Sequence, residues 1–340
     1  MFSQMDYICR KDINRKHMSF EAVSILGVII ISWILLLLLD VLVSGISTLA
    51  FNASFAKVFT WGLISLAIPP AAIAYGALIG RNIYTINKIE LSFDNLPESF
   101  DGYRIVHISD IHARSFENRT ESLAKAVEKI NSLDADLIAF TGDLITMAPE
   151  EIDVISGELS SMKAKDGILS VIGNHDYGIY APKGSVKDMP AIELLVDKEI
   201  SLGWNPLINE SRIIRRGCDS IAVVGVENTS PSVHFPSKGD LKKAEEGTDS
   251  LFRILLTHDP LHWEAEAVGK GYPLTLSGHT HAMQLSLFGW SPSRYIFKQY
   301  RGLYKTEGQY LYVNVGLGET ILPARIGASP EITLITLKRS

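Results

Sequence analysis

Two long apolar runs occupy the first quarter of the chain; beyond them, short apolar runs alternate with amphipathic ones to the C-terminus. From Val23 to Val43 only Ser24, Gly27, Ser32 and Asp40 interrupt the apolar character. That is close to the ~20 residues a helix needs to span a bilayer. Asp40 stands near the far end, where a carboxylate can reach the interface at modest cost. The second run, Val58 to Ile79, has Pro69-Pro70 in its middle, which kinks a helix in lipid without forbidding it. The rival readings are a buried hydrophobic hairpin or a cleaved leader, for which Thr48-Leu49-Ala50 offers a cleavage site. Both runs are long enough to cross and neither has an amphipathic period, so the pattern predicts an all-α two-helix membrane anchor. Arg10, Lys11, Arg15 and Lys16 precede the first run, whereas Ser44 to Ala56 carries no charge. The positive-inside rule then puts the N-terminus, and after two crossings the rest of the chain, in the cytoplasm.

After Asn87 the composition becomes that of a water-soluble domain. The expected division is an anchor with its tail over residues 1–88 and a second domain over residues 89–340. Arg104–Ile108, Asp136–Thr141, Gly167–Ile172, Ile221–Val226, Phe252–Thr257 and Leu274–Ser277 are short apolar runs that predict buried strands. Helical periodicity covers Thr120–Leu133 and Ala191–Leu202, and a further helical stretch precedes Gly167. Tyr310–Val315 and Ile332–Leu337 supply the last strands. Strands alternating with helices predict an α/β core with parallel strands. Ser230–Ser250, rich in Ser, Pro, Gly and Lys, is an excursion at the surface, and no internal repeat is visible.

The 340 residues suffice for one large α/β domain with an appendage. A net charge of -6 argues against a dedicated nucleic-acid partner. Cys9 and Cys218 fit neither a disulfide framework nor a thiolate metal site.

Five of the predicted strands finish in Asp, Asn or His: Asp110 with His112, Asp143, Asn174 with His175, His258, and His279 with His281. Ligand sites in open α/β sheets lie beyond the carboxyl ends of the strands, so five such ends can face one crevice. Two carboxylates and several imidazoles gathered away from water call for a compensating cation. Oxygen and imidazole donors without thiolate suit divalent manganese, iron or zinc. The donors outnumber the positions around one ion, and two ions sharing a carboxylate would use nearly all of them.

The motifs Asp110-Ile111-His112, Gly142-Asp143, Gly173-Asn174-His175-Asp176, His258 and Gly278-His279-Thr280-His281 follow in order. In these five blocks the chain resembles the calcineurin-like metallophosphoesterases over roughly Leu96 to Leu337. The resemblance implies two mixed β-sheets packed face to face and flanked by helices, and a metal-dependent phosphoesterase. It implies one ion on Asp110, His112, Asp143 and His281, and another on Asp143, Asn174, His258 and His279. It makes His175 the general acid or transition-state stabiliser, oriented by Asp176. The ending Gly316-Leu317-Gly318…Pro330-Glu331-Ile332-Thr333-Leu334 and the anchor are similar to a bacterial membrane-anchored subgroup that includes pyrophosphatases of UDP-diacylglucosamine. The expected partners are therefore a phosphate-bearing, lipid-linked substrate and the bilayer, with no nucleic acid. Within the enzyme class the alternative is a soluble phosphodiester, cyclic nucleotide or phosphoprotein. Outside it, the alternative is a metal-binding regulator without turnover. Ala113-Arg114 and Ala282-Met283 depart from the residues frequent in the subgroup and bear on the route to the ions.

Other polar residues have plainer readings. His107, inside a strand, is expected to be structural, and His234 to be solvated in a loop. His262, one helical turn after His258, is a candidate for supporting the ligands. Arg114 is placed to meet a substrate phosphate but is expected to be solvated, as are Arg212, Arg215 and Arg216. Arg294 to Arg301 mixes aromatics with cations, and can line the cleft, touch lipid headgroups or simply face the core.

Overall fold

A computed structural model describes residues 2–181 and 191–340, with the backbone alone for residues 2–20. The side chains of Arg10, Lys11, Arg15 and Lys16, on which the sidedness expectation leans, lie outside the described residues. The chain divides into two compact units, Met1–Arg81 with Ile321–Ile326, and Asn82–Thr320 with Gly327–Ser340.

In the first unit the first apolar run belongs to one continuous helix, α1 (Phe2–Phe51). The second run is broken into α2 (Phe55–Gly62), a 3-10 turn (Leu63–Ala67) and α3 (Ile68–Leu78). Pro69 and Pro70 stand in the first turn of α3, where a missing N–H costs no hydrogen bond, so the run bends by restarting a helix. The stretches Glu21–Phe51 and Phe55–Asn82 are long and apolar enough to cross a membrane. Trp33 Nε1 donates to the Leu66 carbonyl (2.7 Å) and ties the two stretches together. Asp40 does not extend outward as its position suggested. It is buried against Gly62, where any Cβ would overlap its carboxylate. A glycine on the facing helix makes room for the acid.

The second unit holds two six-stranded sheets. Its strands are β1 (Thr85–Phe93), β2 (Arg104–Ile108), β3 (Leu137–Phe140), β4 (Ile168–Ser170), β5 (Asn205–Pro206) and β6 (Glu210–Arg216). They continue with β7 (Asp219–Gly225), β8 (Phe252–Leu256), β9 (Leu274–Ser277), β10 (Gly302–Thr306), β11 (Gln309–Val313) and β12 (Glu331–Arg339). One sheet runs β1-β12-β2-β3-β4-β5 and the other β10-β11-β9-β8-β7-β6. Both are mixed: β2, β3, β4 and β5 are parallel, as are β7, β8, β9 and β11, with antiparallel pairs at β12–β2, β10–β11 and β6–β7. Alternation along the strands builds the layers. In β3, Leu137 and Ala139 join the core between the sheets, while Ile138 and Phe140 join the core beneath α4 (Thr120–Ser132). Ile254 and Leu256 of β8 likewise face the first sheet, and Leu255 faces away. Strands buried on both faces read as continuous apolar runs, which is why these were legible.

The helical stretch expected before Gly167 is a 3-10 turn (Pro149–Val154) and a five-residue helix, α5 (Ser156–Ser160). The periodic run after residue 190 forms α6 (Ala191–Ser201). Strand β1 begins at Thr85, so it runs across the junction expected at residue 88. Strand β6 forms where no strand was expected, between the helical run ending at Leu202 and the strand predicted from Ile221, and pairs with β7 along a sheet edge. Arg216 corrects a further expectation: it pairs with Asp136 (2.6 Å) and lies over the Tyr103 ring (4.5 Å), whereas Arg212 and Arg215 are exposed.

Candidate metal centre

The polar residues at the strand ends converge because parallel strands in two neighbouring sheets stop at the same level. Asp110 and His112 follow β2, Asp143 follows β3, Asn174 and His175 follow β4, His258 follows β8, and His279 and His281 follow β9. The chain must turn sharply to aim each side chain back over the strand ends. Asp110, His112, Asp143, His279 and His281 all have positive φ, between 45° and 74°. Such backbone is strained in non-glycine residues and concentrates at functional sites. Gly142 adopts positive φ (88°) without that strain, and a Cβ there would lie 2.6 Å from Gly173 N and 2.9 Å from His258 Nδ1. Glycine is thus what lets the turns after β3 and β4 touch.

Three sets of donor atoms, each within 4.8 Å of one another, result: Asp110, His112 and His281; His112, Asp143 and His175; and Asp143, His258 and His279. His281 Nε2 lies 3.2 Å from Asp110 Oδ1 and 3.0 Å from His112 Nε2. Asp143 Oδ2 lies 3.7 Å from His112 Nε2 and 3.2 Å from His258 Nε2, so one oxygen belongs to both halves. Asn174 Oδ1 and His279 Nδ1 are each 3.2 Å from His258 Nε2. All seven side chains named from the sequence therefore meet in one place.

Surrounding groups fix how they point. His258 Nδ1 donates to the Thr141 carbonyl (2.7 Å), which makes Nε2 the nitrogen that faces the cluster and that a bound cation would deprotonate. Asn174 Nδ2 donates to the Tyr180 hydroxyl (3.1 Å), turning its oxygen inward. The His279 N–H donates to the Asp110 carboxylate (3.0 Å) and the His175 N–H to Asp143 Oδ1 (2.8 Å). His112 differs, since its Nδ1 is buried without a hydrogen-bond partner among the described residues.

The electrostatics call for positive charge. Burial works against both carboxylates, yet the neighbouring imidazoles hold Asp110 and Asp143 well below the usual carboxylate range, His281 foremost for Asp110 and His258 for Asp143. Burial also pulls His258 down, but the Asp143 and Asp110 carboxylates outweigh it and hold it at about 10. Burial lowers His112 and His279. Two ionised carboxylates and imidazole lone pairs thus crowd together with one imidazolium to balance them. That donor set fits divalent cations, with oxygen and nitrogen donors and no thiolate.

His175 stands at the edge of the set, half-buried, its ring 4.8 Å from that of His112 and 4.3 Å from that of Tyr180. Its Nδ1 donates to the Thr146 carbonyl (2.7 Å), so Thr146, not Asp176, orients it. This corrects the role expected of Asp176. That carboxylate is fully buried and accepts from the backbone N–H groups of Asp143, Leu144, Ile145 and Gly173. Burial and the adjacent Asp143 push its carboxyl up to about 7, while the amides pull it down. Asp176 therefore clamps the turns after β3 and β4 together.

Tyr180, Thr141, Thr146 and Phe235 were not singled out from sequence, whereas Phe297 belongs to the Arg294 to Arg301 segment that was expected to be able to line the cleft. The rings of Phe235 and Phe297 meet the His279 ring edge-on at 5.0 and 5.5 Å. His107 is buried on Thr141 Oγ1 (2.9 Å), with burial lowering it to about 3. His262 is buried on Thr257 Oγ1 (2.9 Å), and His234 is exposed. Arg114 is not solvated: its side chain is largely covered, 4.0 Å from Glu151.

The family profile described as calcineurin-like phosphoesterase matches residues 103–283. A Bacillus subtilis protein described as an uncharacterized metallophosphoesterase, YkuE, is 33% identical over 258 residues, covering 72% of this chain and 82% of that one. A Danio rerio transmembrane protein with metallophosphoesterase domain is 31% identical over 292 residues, 83% of this chain and 64% of that protein, so the chain spans less than two thirds of that relative. The UDP-2,3-diacylglucosamine pyrophosphatase LpxG of Chlamydia trachomatis is 28% identical over 322 residues, 79% of this chain and 94% of the relative. Members of the profile's family typically bind divalent metals, and the two mixed sheets with their flanking helices are its fold. With that profile across more than half of its length and a relative one-third identical, the chain belongs to the calcineurin-like phosphoesterases and is a metal-dependent phosphoesterase.

Proposed function

We propose that this phosphoesterase is a membrane-anchored hydrolase with two divalent ions, of manganese, iron or zinc, held by seven side chains. Asp110, His112, Asp143 and His281 take one ion, and Asp143, Asn174, His258 and His279 the other. The observation that carries this reading is the single oxygen, Asp143 Oδ2, that faces His112 Nε2 and His258 Nε2 at once. When bound, such ions polarise phosphoryl oxygens and lower the pKa of water. Asn174 contributes an oxygen without adding negative charge, which spares an anionic phosphate from repulsion. His175 keeps Nδ1–H on Thr146, so a proton it delivers must leave from Nε2. Water loses a proton to solvent as its oxygen bonds to phosphorus, the phosphorus–oxygen bond to the leaving group breaks, and His175 protonates the departing oxygen and regains a proton from solvent.

Residues 1–88 serve as the anchor in this reading, residues 89–340 as the catalytic domain, and the cytoplasm as its compartment. The substrate is a lipid-linked pyrophosphate of the UDP-diacylglucosamine type, cleaved into two phosphomonoesters. Two apolar stretches long enough to cross a bilayer and the similarity to the chlamydial pyrophosphatase support it. Purified full-length protein should release a nucleoside monophosphate and a lipid sugar phosphate from UDP-2,3-diacylglucosamine. It should also hydrolyse bis-p-nitrophenyl phosphate when manganese is added. Activity on the second compound alone would remove the lipid substrate and leave the phosphoesterase. Reporter fusions after Leu96 test sidedness, and an external C-terminal domain would refute the cytoplasmic placement.

A further inference from the structure

We propose that the segment Met283–Ile296 is a lipid-inserting tip through which the second unit makes its own contact with the bilayer. The segment leaves the His279–His281 turn and projects apolar side chains into solvent. Phe288 is 110% exposed, Tyr295 75% and Ile296 64%, and Met283, Leu287 and Trp290 are exposed as well. An apolar group this concentrated on a soluble surface marks a partner.

The backbone is built to present it. Leu287 and Trp290 exchange both backbone hydrogen bonds (2.8 and 2.9 Å), closing a two-residue turn with Phe288 at φ 51° and Gly289 at φ 83°. Asn or Asp is the residue that such a turn favours at its first position. Phenylalanine there is strained and its ring meets water, two costs that a folded core does not explain. The base of the segment is fixed: Ser291 Oγ donates to the Ala282 carbonyl (2.6 Å) and Thr280 Oγ1 to the Tyr300 carbonyl (2.6 Å). Phe297 packs on His279, so the tip is a continuation of the metal site's wall.

Charge selects the partner. From Ala267 to Thr306 the chain has no Asp or Glu, yet it carries Lys270, Arg294, Lys298, Arg301 and Lys305, in a protein of net charge -6. Lys298 is met by Glu264 (2.5 Å), while Arg294 is exposed beside Tyr295. Trp, Tyr and Phe interleaved with Arg and Lys form the composition that settles at the boundary between acyl chains and anionic headgroups. The second apolar stretch runs to Asn82, the first residue of this unit, so no linker separates the two in sequence.

The proposal rests on the membrane part of the function proposed above, and the test separates the two. Full-length protein lacking its native cysteines (Cys9→Ser, Cys218→Ser) is labelled with an environment-sensitive fluorophore at Phe288→Cys, Leu35→Cys or Lys242→Cys. It is then reconstituted in phosphatidylcholine–phosphatidylglycerol vesicles with and without doxyl lipids. Hydrolysis of bis-p-nitrophenyl phosphate reports that each labelled protein is folded. The expected result is a blue-shifted Phe288→Cys probe quenched by doxyl lipids, as at Leu35→Cys, with the Lys242→Cys probe unaffected. Quenching at Leu35→Cys alone would overturn the tip and leave the anchor. A probe at Phe288→Cys that is blue-shifted but unquenched would assign the surface to a protein partner and also overturn it. No quenching at either position would remove the anchor and the tip together.

Discussion

One residue separates two stretches that break the usual rule for folded chains in opposite directions. His279 to His281 turn imidazoles into a site ringed by buried carboxylates, whereas Met283 to Ile296 hold phenylalanine, tyrosine and isoleucine out in water. Each arrangement is unfavourable for the polypeptide in water alone. The first lacks positive charge, the second an apolar phase. Both are also strained, with positive φ at His279, His281 and Phe288. The lesson is that an inversion of polarity accompanied by backbone strain points to what the chain binds, and the sign of the inversion names its chemistry. Polar side chains turned inward ask for cations; apolar ones turned outward ask for lipid.

The inward half breaks most readily at Asp143. Asp143→Asn removes the charge that both halves of the cluster share. Since losing a group that merely supports a ligand already costs roughly 10–100-fold in affinity or activity, the shared ligand should cost at least about 100-fold in turnover. Elemental analysis should show fewer ions per chain. A variant that keeps both ions and its activity would dissolve the cluster reading. His175→Ala should lower kcat by about 10²- to 10⁴-fold with the metal content unchanged, because the imidazole sits beside the donors and answers to Thr146. Loss of metal in that variant would make His175 a ligand.

The inward half was far more legible in sequence than the outward one. Asp110, His112, Asp143, Asn174, His258, His279 and His281 each close a run of apolar residues, so side-chain type and position pointed to them together with His175, and the family resemblance set His175 apart. The groups that aim them left no such trace. Thr141 and Thr146 act through backbone carbonyls, which any residue has, and Tyr180 reaches Asn174 across a loop. Asp176 was named for the wrong contact, because adjacency to His175 in sequence says nothing about which amides its carboxylate faces. The covered settings of Arg114 and Arg216 depend on Glu151 and Asp136, which are distant along the chain. In the fold, β2, β3, β8 and β9 were read from apolar runs, but β1 and β6 lie at sheet edges, where half-exposed alternation resembles a loop. The aromatic-basic segment was visible as composition, and only the turn at Phe288 shows which way it faces.

Glu199 gives the comparison a control, a buried acid outside every cluster of metal-ligating side chains among the described residues. It is fully buried on α6, bonded to Ser170 Oγ, and burial pushes its carboxyl up to about 8. Because the folded pKa lies above the ordinary carboxyl value of about 4.3, its stabilising contribution is complete below that value. It is lost as pH rises toward 8 and beyond. Between pH 6 and 9 the wild type should lose on the order of 2 kcal/mol relative to Glu199→Gln, by thermal unfolding in detergent. Asp143→Asn should not reproduce that slope, since Asp143 is held below the usual range by its neighbours rather than raised. Equal slopes for wild type and Glu199→Gln would show that Glu199 is ionised where it lies.

The smallest effect belongs to the outward half. Replacing Leu287, Phe288 and Trp290 together by serine removes apolar groups that make no contact with the metal-site donors, so hydrolysis of a soluble diester should not change. If the helices already hold the protein on the bilayer, capture of a lipid substrate is not limited by the tip, because the tether supplies the effective concentration. What the tip adds is orientation of the His279 wall toward the lipid surface, so KM for the lipid-linked substrate should rise roughly threefold to tenfold with kcat nearly constant. A fall in kcat for both substrates would instead tie these side chains to the packing of Phe297 on His279. The outward inversion would then be a structural consequence of the inward one, and the two would no longer be independent signs of two partners.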